Sequence, residues 1–304
     1  MTPLMHKIDF AVVLSVHHAN PNGDPLNGNR PRQTYSGQGE ISDVCLKRKI
    51  RNRIQDLGQS ILVQSDDRRQ DAYRSIKDRV DHCAAVQPFV NRNPIDNEQF
   101  TASACATWWD VRSFGQVFAF KKKSNGSKKD NKKDNEESNG VSIGVRGPVS
   151  IHSALSVDPI DISSIQITKS VNTETSSNPD NRSSDTMGMK HRVDFGVYVF
   201  YGSINVQLAQ KTRFSPEDAE LLRQALRTLF VNDASSARPE GSMEIHKLYW
   251  WEHDSALGQY SAAQVHRSLH VTRKPDVSEP QSIADYDITI DTLEELPVQV
   301  DEGI

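Results

Sequence analysis

The chain has 304 residues, 36% of them apolar, and its 36 Lys and Arg against 40 Asp and Glu give a net charge of −4. That length suits one large domain or two small ones with a real core, and the low apolar share points to sizeable polar loops or insertions. Cys45, Cys83 and Cys105 have no paired spacing, which argues against a zinc site or a disulfide framework and fits a reducing, cytoplasmic setting. The first apolar run is too short and wrongly flanked for a signal peptide or a membrane span, so no membrane is expected among the partners. The charge is uneven: residues 274–304 hold nine acids and one base, net −8, leaving +4 for the remainder. Such a division suits either two complementary faces of a self-associating subunit or a solvated acidic edge and tail.

Taken in order, residues 8–16 (Ile-Asp-Phe-Ala-Val-Val-Leu-Ser-Val) are short and β-branched enough for a buried strand. This strand feeds the loop Asn20-Pro21-Asn22-Gly23-Asp24-Pro25-Leu26-Asn27-Gly28-Asn29-Arg30-Pro31-Arg32, where Asn-Gly, Asp-Pro and Gly-Asn pairs force turns. Its asparagines offer neutral donors, and Arg30 and Arg32 offer fork-shaped cationic ones suited to phosphate oxygens. The alternative is an ordinary surface loop. Residues 41–57 read as a helix with Ser42 or Asp43 as N-cap and Val44, Leu46, Ile50, Ile54 and Leu57 near one face. Lys47, Arg48, Arg51 and Asn52 then fall on other faces, giving an outward basic side that is either simply solvated or a groove tracking phosphates.

Residues 66–82 suggest a second helix, charged nearly all round. A third is expected over 98–118, with Trp108, Trp109, Phe114 and Phe118 spaced for core packing rather than base stacking. Residues 121–140 carry seven lysines and no apolar side chain, the composition of a low-complexity loop. Strand-like runs follow at 148–157 and 162–168, then a polar stretch at 170–185 and long alternation over 191–209. An amphipathic helix is expected over 216–231, capped by Ser215 with Pro216 at its first position and a stripe of Leu221, Leu222, Ala225, Leu226 and Leu229. Strands are expected at 244–252, 265–271 and 286–290. The sum is an α+β fold with a largely antiparallel sheet.

No Walker A, G-x-G-x-x-G, G-x-S-x-G or H-E-x-x-H sequence occurs, which lowers the odds of the common NTPase, dehydrogenase, hydrolase and zinc protease chemistries. His266 and His270 are four apart, as two ligands on one helical face would be. A metal needs three or four ligands, and no carboxylate stands at a matching spacing, so neither metal nor cofactor is expected.

Several separated motifs carry a resemblance. Asn20-Pro21-Asn22-Gly23-Asp24-Pro25, Gly28-Asn29 with Pro31-Arg32, Asp110-Val111-Arg112-Ser113-Phe114-Gly115-Gln116-Val117-Phe118, Gly144-Val145-Arg146-Gly147-Pro148-Val149 and Met187-Gly188-Met189-Lys190-His191-Arg192-Val193 occur in the order found in one family. The chain resembles the crRNA-binding backbone subunit of the type I-C CRISPR Cascade complex. That resemblance implies one RNA-recognition-motif-like domain over 1–304: an antiparallel palm with helical fingers at 31–118, a flexible Lys-rich loop at 119–141 and a thumb hairpin at 168–190. The usual aromatic RNP signature is not recognisable. It further implies a non-enzymatic subunit whose partners are crRNA, target DNA, further copies in a head-to-tail filament and other Cascade subunits.

Binding without fixed sequence must use the ribose-phosphate backbone. The residues suited to it are Asn20, Asn22, Arg30, Arg32, Lys47, Arg48, Arg51, Arg146, Lys169, Lys190, His191 and Arg192. Related subunits of other CRISPR effectors use an acid in the loop after the first strand for metal-dependent RNA cleavage. Asp24 sits there, although Gly23-Asp24-Pro25 favours a local turn bond and no second carboxylate lies nearby.

Overall fold

In the computed structural model, which describes residues 2–90, 96–120, 141–168 and 187–304, the first apolar run becomes strand β1 (Ile8–Ala19), buried over its first nine residues. A small ribbon of β2 (Gly23–Asp24) and β3 (Arg30–Pro31) forms the next loop, and β4 (Gln38–Ile41) leads into helix α1 (Asp43–Asp56). Four short helices follow: α2 (Ile76–Asp81), α3 (Gln87–Val90), α4 (Asn97–Thr107) and α5 (Trp109–Phe114). Strands β5 (Gly115–Phe120) and β6 (Val141–Arg146) pair as a separate ribbon, and β7 (Val149–Ile151), β8 (Ala154–Pro159), β9 (Ile162–Thr168) and β10 (Met187–Ile204) return to the main sheet. The chain continues through α6 (Val206–Thr212), α7 (Pro216–Arg227), β11 (Met243–Glu252), α8 (Ala262–Arg267), β12 (Leu269–Arg273), β13 (Tyr286–Ile290) and β14 (Val298–Glu302).

The fold is α+β on an antiparallel sheet ordered β14-β11-β1-β10-β8-β4, with β7 and β9 also pairing with β10. Alternation along β1 explains why it reads as one apolar run. Phe10, Val12, Leu14 and Val16 point to the face covered by Leu46, Ile50 and Ile54 of α1 and Leu222, Ala225 and Leu226 of α7. Ala11 and Val13 point to the opposite face, where Val265 of α8 and Leu269 and Tyr286 of the β12–β13 ribbon cover them. Each fully buried Val, Leu, Ile or Phe adds about 1.5–3 kcal/mol, so a strand covered on both faces anchors the sheet. Residues 38–56 belong to this layered body. A separate core of Leu62, Val80, Phe100, Trp108, Phe118, Ile143 and Val145 joins α2, α4 and the β5–β6 ribbon.

Several expected elements change here. The helix expected over 66–82 shrinks to a 3-10 turn at 66–68 and α2. Arg79 of α2 turns inward, donating to Asp71 at 2.5 and 2.9 Å and to the Leu62 carbonyl at 2.6 Å. The helix expected over 98–118 is broken in two at Trp108, whose backbone is extended (φ −115°, ψ 123°), and ends at Phe114, where Gly115 takes φ +78° and a Cβ would lie 2.2 Å from the Val145 carbonyl oxygen. Trp108, Trp109 and Phe118 are buried as expected. The alternation over 191–209 stops at Ile204, because the Asn205 side chain accepts from Leu208 N–H and starts α6. The strand expected over 265–271 is α8 followed by β12, which takes His266 and His270 off any shared helical face. Among the described residues, no group of three His, Cys, Asp or Glu is placed to hold a metal, and no helix is long and apolar enough to cross a membrane. The lysine run at 121–140, most of the thumb span and Lys169 lie outside the described residues.

Candidate nucleic-acid interface

The loop after β1 is built by its asparagines. Asn20 is buried, donates from Nδ2 to the Asn29 carbonyl at 2.7 Å and donates its backbone N–H to the Ala237 carbonyl at 2.9 Å. Asn22 Oδ1 accepts from both the N–H and the hydroxyl of Ser42, at 2.9 and 2.8 Å. Ser42 is the N-cap of α1, its hydroxyl accepting from Cys45 N–H, so Asn22 fastens the loop to the start of that helix. Asp24 behaves as its turn context suggested. Its carboxylate accepts from Leu26 N–H at 3.2 Å, caps a 3-10 turn over residues 25–27 and lies 3.6 Å from the Arg32 guanidinium.

Arg30 reaches across to another element. Its Nη1 donates to Ser164 Oγ at 2.9 Å and lies 3.5 Å from His191 Nδ1, while Ser164 Oγ and His191 Nδ1 are 2.8 Å apart. Ser164 and His191 are register partners of β9 and β10. The structure therefore joins the loop after β1 to the base of the ribbon that leads toward residues 169–186. Lys190 is exposed there, opposite Ile165. Arg192, on the same strand, has its Nε 3.7 Å from Asp194. Arg146 is exposed at the end of β6, opposite Gly115, on the ribbon of the separate core.

The basic side of α1 corrects the expectation of an outward-facing stripe. Arg51 Nε donates to Asp110 at 3.0 Å, and Asp110 is buried and also accepts from the N–H groups of Leu62 and Val63. Arg48 donates to the Val63 carbonyl at 2.6 Å. Lys47 is half-buried and ion-paired with Asp43 at 3.0 Å, and the guanidinium of Arg51 lies 5.1 Å from the Phe114 ring centroid. Lys49, the fourth base of this stretch, is 3% exposed and ion-paired with Asp233. Burial pushes its ammonium below the ordinary lysine pKa, with the Asp233 carboxylate opposing that shift. Val44, expected on the apolar face, is 67% exposed.

Sequence reasoning did not find Ser164, Asp110, Asp233 or Arg238. Ser164 links Arg30 to His191, Asp110 clasps Arg51, and Asp233 holds Lys49 together with Arg238, whose Nε lies 3.2 Å away. The Asp110 and Asp233 contacts span 59 and 184 residues, beyond the reach of any local pattern. The outcome is a set of cationic side chains, Arg30, Arg32, Lys190 and Arg192, at the loop and at the base of the β9–β10 ribbon, with Asp24 and Asp194 beside two of them and the asparagines committed to holding the loop.

A CRISPR-associated protein Cas7 from Haloferax volcanii is 27% identical over 220 residues, which is 72% of this chain, and the chain spans 62% of that relative's length. Two chains from solved structures described as CRISPR RNA-guided surveillance complexes align over 81% of this chain. The pre-nicking one has 12% identity, a TM-score of 0.43 and 78% of its own length covered; the other has 14%, 0.38 and 68%. The family model for CRISPR-associated protein Cas7 matches residues 6–291, and the chain belongs to that family.

Proposed function

We propose that this protein is a non-catalytic crRNA-binding subunit that polymerises along its RNA as the backbone of a type I-C Cascade surveillance complex. Membership of the Cas7 family supports this reading, and one observation carries it. The Arg30–Ser164–His191 cluster brings a cationic loop against the base of a protruding ribbon, so donors from two distant segments lie along one stretch of surface. A chain held by its phosphates keeps its bases free, which lets base pairing read a target DNA strand while protein supplies shape. A head-to-tail contact between copies does not close on itself, so the RNA and the other Cascade subunits set the length of the array. In this reading residues 1–304 form one RNA-recognition-motif-like palm with fingers and a thumb. Arg30, Arg32, Lys190, His191 and Arg192 stand at its centre. Asn20 and Asn22 shape the loop, and Lys47, Arg48, Arg51, Arg146 and Lys169 are further bases whose chemistry suits a phosphate.

The test is purification of the protein from cells that express a guide array, followed by extraction and sizing of any nucleic acid. RNA of uniform length is expected to accompany the wild type and to be lost from an Arg30→Ala/Lys190→Ala double variant whose melting temperature is unchanged. A wild-type protein free of RNA overturns the proposal. Mg²⁺-dependent cleavage of that RNA, abolished by Asp24→Ala, would replace it with a nuclease.

A further inference from the structure

The loop between α7 and β11 lies against the loop after β1. Two backbone hydrogen bonds join it to that neighbourhood: Asn20 N–H to the Ala237 carbonyl at 2.9 Å, and His17 N–H to the Ser242 carbonyl at 2.8 Å. Its tip is a tight turn in which Ser235 and Arg238 exchange backbone hydrogen bonds at 2.8 and 3.0 Å, with Ser235 and Ser236 exposed. Asp233, at its start, holds Lys49 and Arg238 together.

Asp233 thus faces two cations, of which Arg238 is the one open to solvent. Lys49 is 3% exposed, whereas the Arg238 side chain is 27% exposed. Only Arg238 Nε is engaged by a side chain; among the described residues its two terminal nitrogens have no partner. Asp233 therefore fixes the guanidinium by one nitrogen and leaves the other two free, as a bidentate phosphate contact requires.

We infer that the turn 235–238 extends the RNA-binding surface of the Asn20–Arg32 loop, against which it packs, and that Arg238 contacts a backbone phosphate there. This rests on the RNA-binding reading above and adds to it a residue. Arg238 also borders a surface groove of about 260 Å³ toward β11, whose other charged lining residues are the acids Asp233, Glu240 and Glu244. These repel a phosphate, so the contact is expected on the side of Arg238 that faces the Asn20 loop.

The experiment measures binding of a labelled mixed-sequence single-stranded RNA to the RNA-stripped full chain across a salt series. For single strands the logarithm of affinity falls with the logarithm of salt by about 0.7 per phosphate contact, so Arg238→Gln is expected to flatten the slope by about that amount. Affinity should drop about 5- to 10-fold near physiological salt, by a similar factor for different RNA sequences. Arg238→Lys should retain most of the slope. Arg223→Gln, which alters an arginine bound to Asp301 on β14, should change neither quantity. A wild-type slope and affinity in a folded Arg238→Gln protein, with melting temperature held, overturns the inference alone. If Arg238→Gln loses stability instead, the Arg238→Lys slope decides, and a slope reduced as far as that of Arg238→Gln counts against phosphate contact by charge. Failure of the wild type to bind RNA overturns both this inference and the reading beneath it.

Discussion

Asn22 shows how a residue suited to RNA by its chemistry is first committed to architecture. Its Oδ1 takes both hydrogen bonds that Ser42 can donate, so Asn22→Ala leaves the Ser42 N–H without its acceptor and loosens the loop from α1. Two ordinary hydrogen bonds together contribute about 1–3 kcal/mol, and urea unfolding should show a loss in that range, with Asn22→Asp recovering most of it because a carboxylate still accepts. An unchanged midpoint in Asn22→Ala would mean that the loop is held elsewhere. His266 makes a second prediction at this scale. It is buried, its Nε2 is 3.1 Å from the Gly202 carbonyl and its ring stacks on Tyr201 at 4.9 Å. Burial pushes its pKa below the ordinary histidine value, with the Gly202 carbonyl and Asp9 opposing and His152 and Lys7 adding to the shift. The unfolded chain takes up a proton near pH 6.5 that the folded chain refuses. This contribution is therefore fully present above about pH 6.5 and is lost as the pH falls from there through the lower, folded-state value. Melting temperatures measured over about three pH units around the ordinary histidine value should fall on the acid side in the wild type and fall less in His266→Gln.

Elements are tied to one another by contacts that no local pattern encodes. Arg112 of α5 grips Asp218 of α7 at 2.9 and 2.7 Å, with both side chains buried, and Asp218 also closes the capping box with Ser215. Removing the guanidinium strands a buried carboxylate, so Arg112→Ala should cost about 3–5 kcal/mol in urea unfolding. Arg112→Lys should cost less but not nothing, since an ammonium cannot make the paired contact. A loss under about 1 kcal/mol for Arg112→Ala would mean that Asp218 finds other partners. The start of α7 was legible because Ser215, Pro216, Glu217 and Asp218 are adjacent cap signals; the partner of Asp218, 106 residues away, was not. The same division runs through α1. Its Ser42 cap and its Leu46, Ile50 and Ile54 stripe are local and were read correctly, whereas the orientation of Arg48 and Arg51 depends on Val63 and Asp110 and was misread. Helix α8 was missed because six residues around an apolar alternation look like a strand, although its Ser261 and Gln264 capping box was a usable signal. Arg30 and His191 were singled out by their chemistry, while their junction through Ser164 needed the β9–β10 register.

Across the whole molecule, the acidic end that offsets the basic remainder closes an edge of the sheet. Strand β14 pairs with β11, placing Val300 opposite Tyr249 and Glu302 opposite Lys247. It is pinned from α7 by Arg223, which reaches Asp301 at 2.6 Å and Gln299 at 2.7 Å, and by Arg227, which donates to the Glu302 carbonyl at 3.1 Å. Much of the acidity of this strand therefore neutralises neighbouring bases while covering the edge of β11, a strand that contains Tyr249, Trp250 and Trp251. An uncovered edge of that kind is a template for pairing with another chain. Deleting residues 298–304 should convert RNA-stripped protein from a single species into concentration-dependent oligomers by light scattering, and should lower the melting temperature through loss of the α7 contacts. RNA affinity per subunit, measured at protein concentrations low enough to keep the variant dispersed, should stay within about twofold because the cationic loop lies on other elements. A truncated protein that remains a single species at high concentration would show that β11 tolerates exposure. A gain in RNA affinity in the dispersed state would instead place the acidic end within reach of the groove, where its charge opposes that of the bound strand.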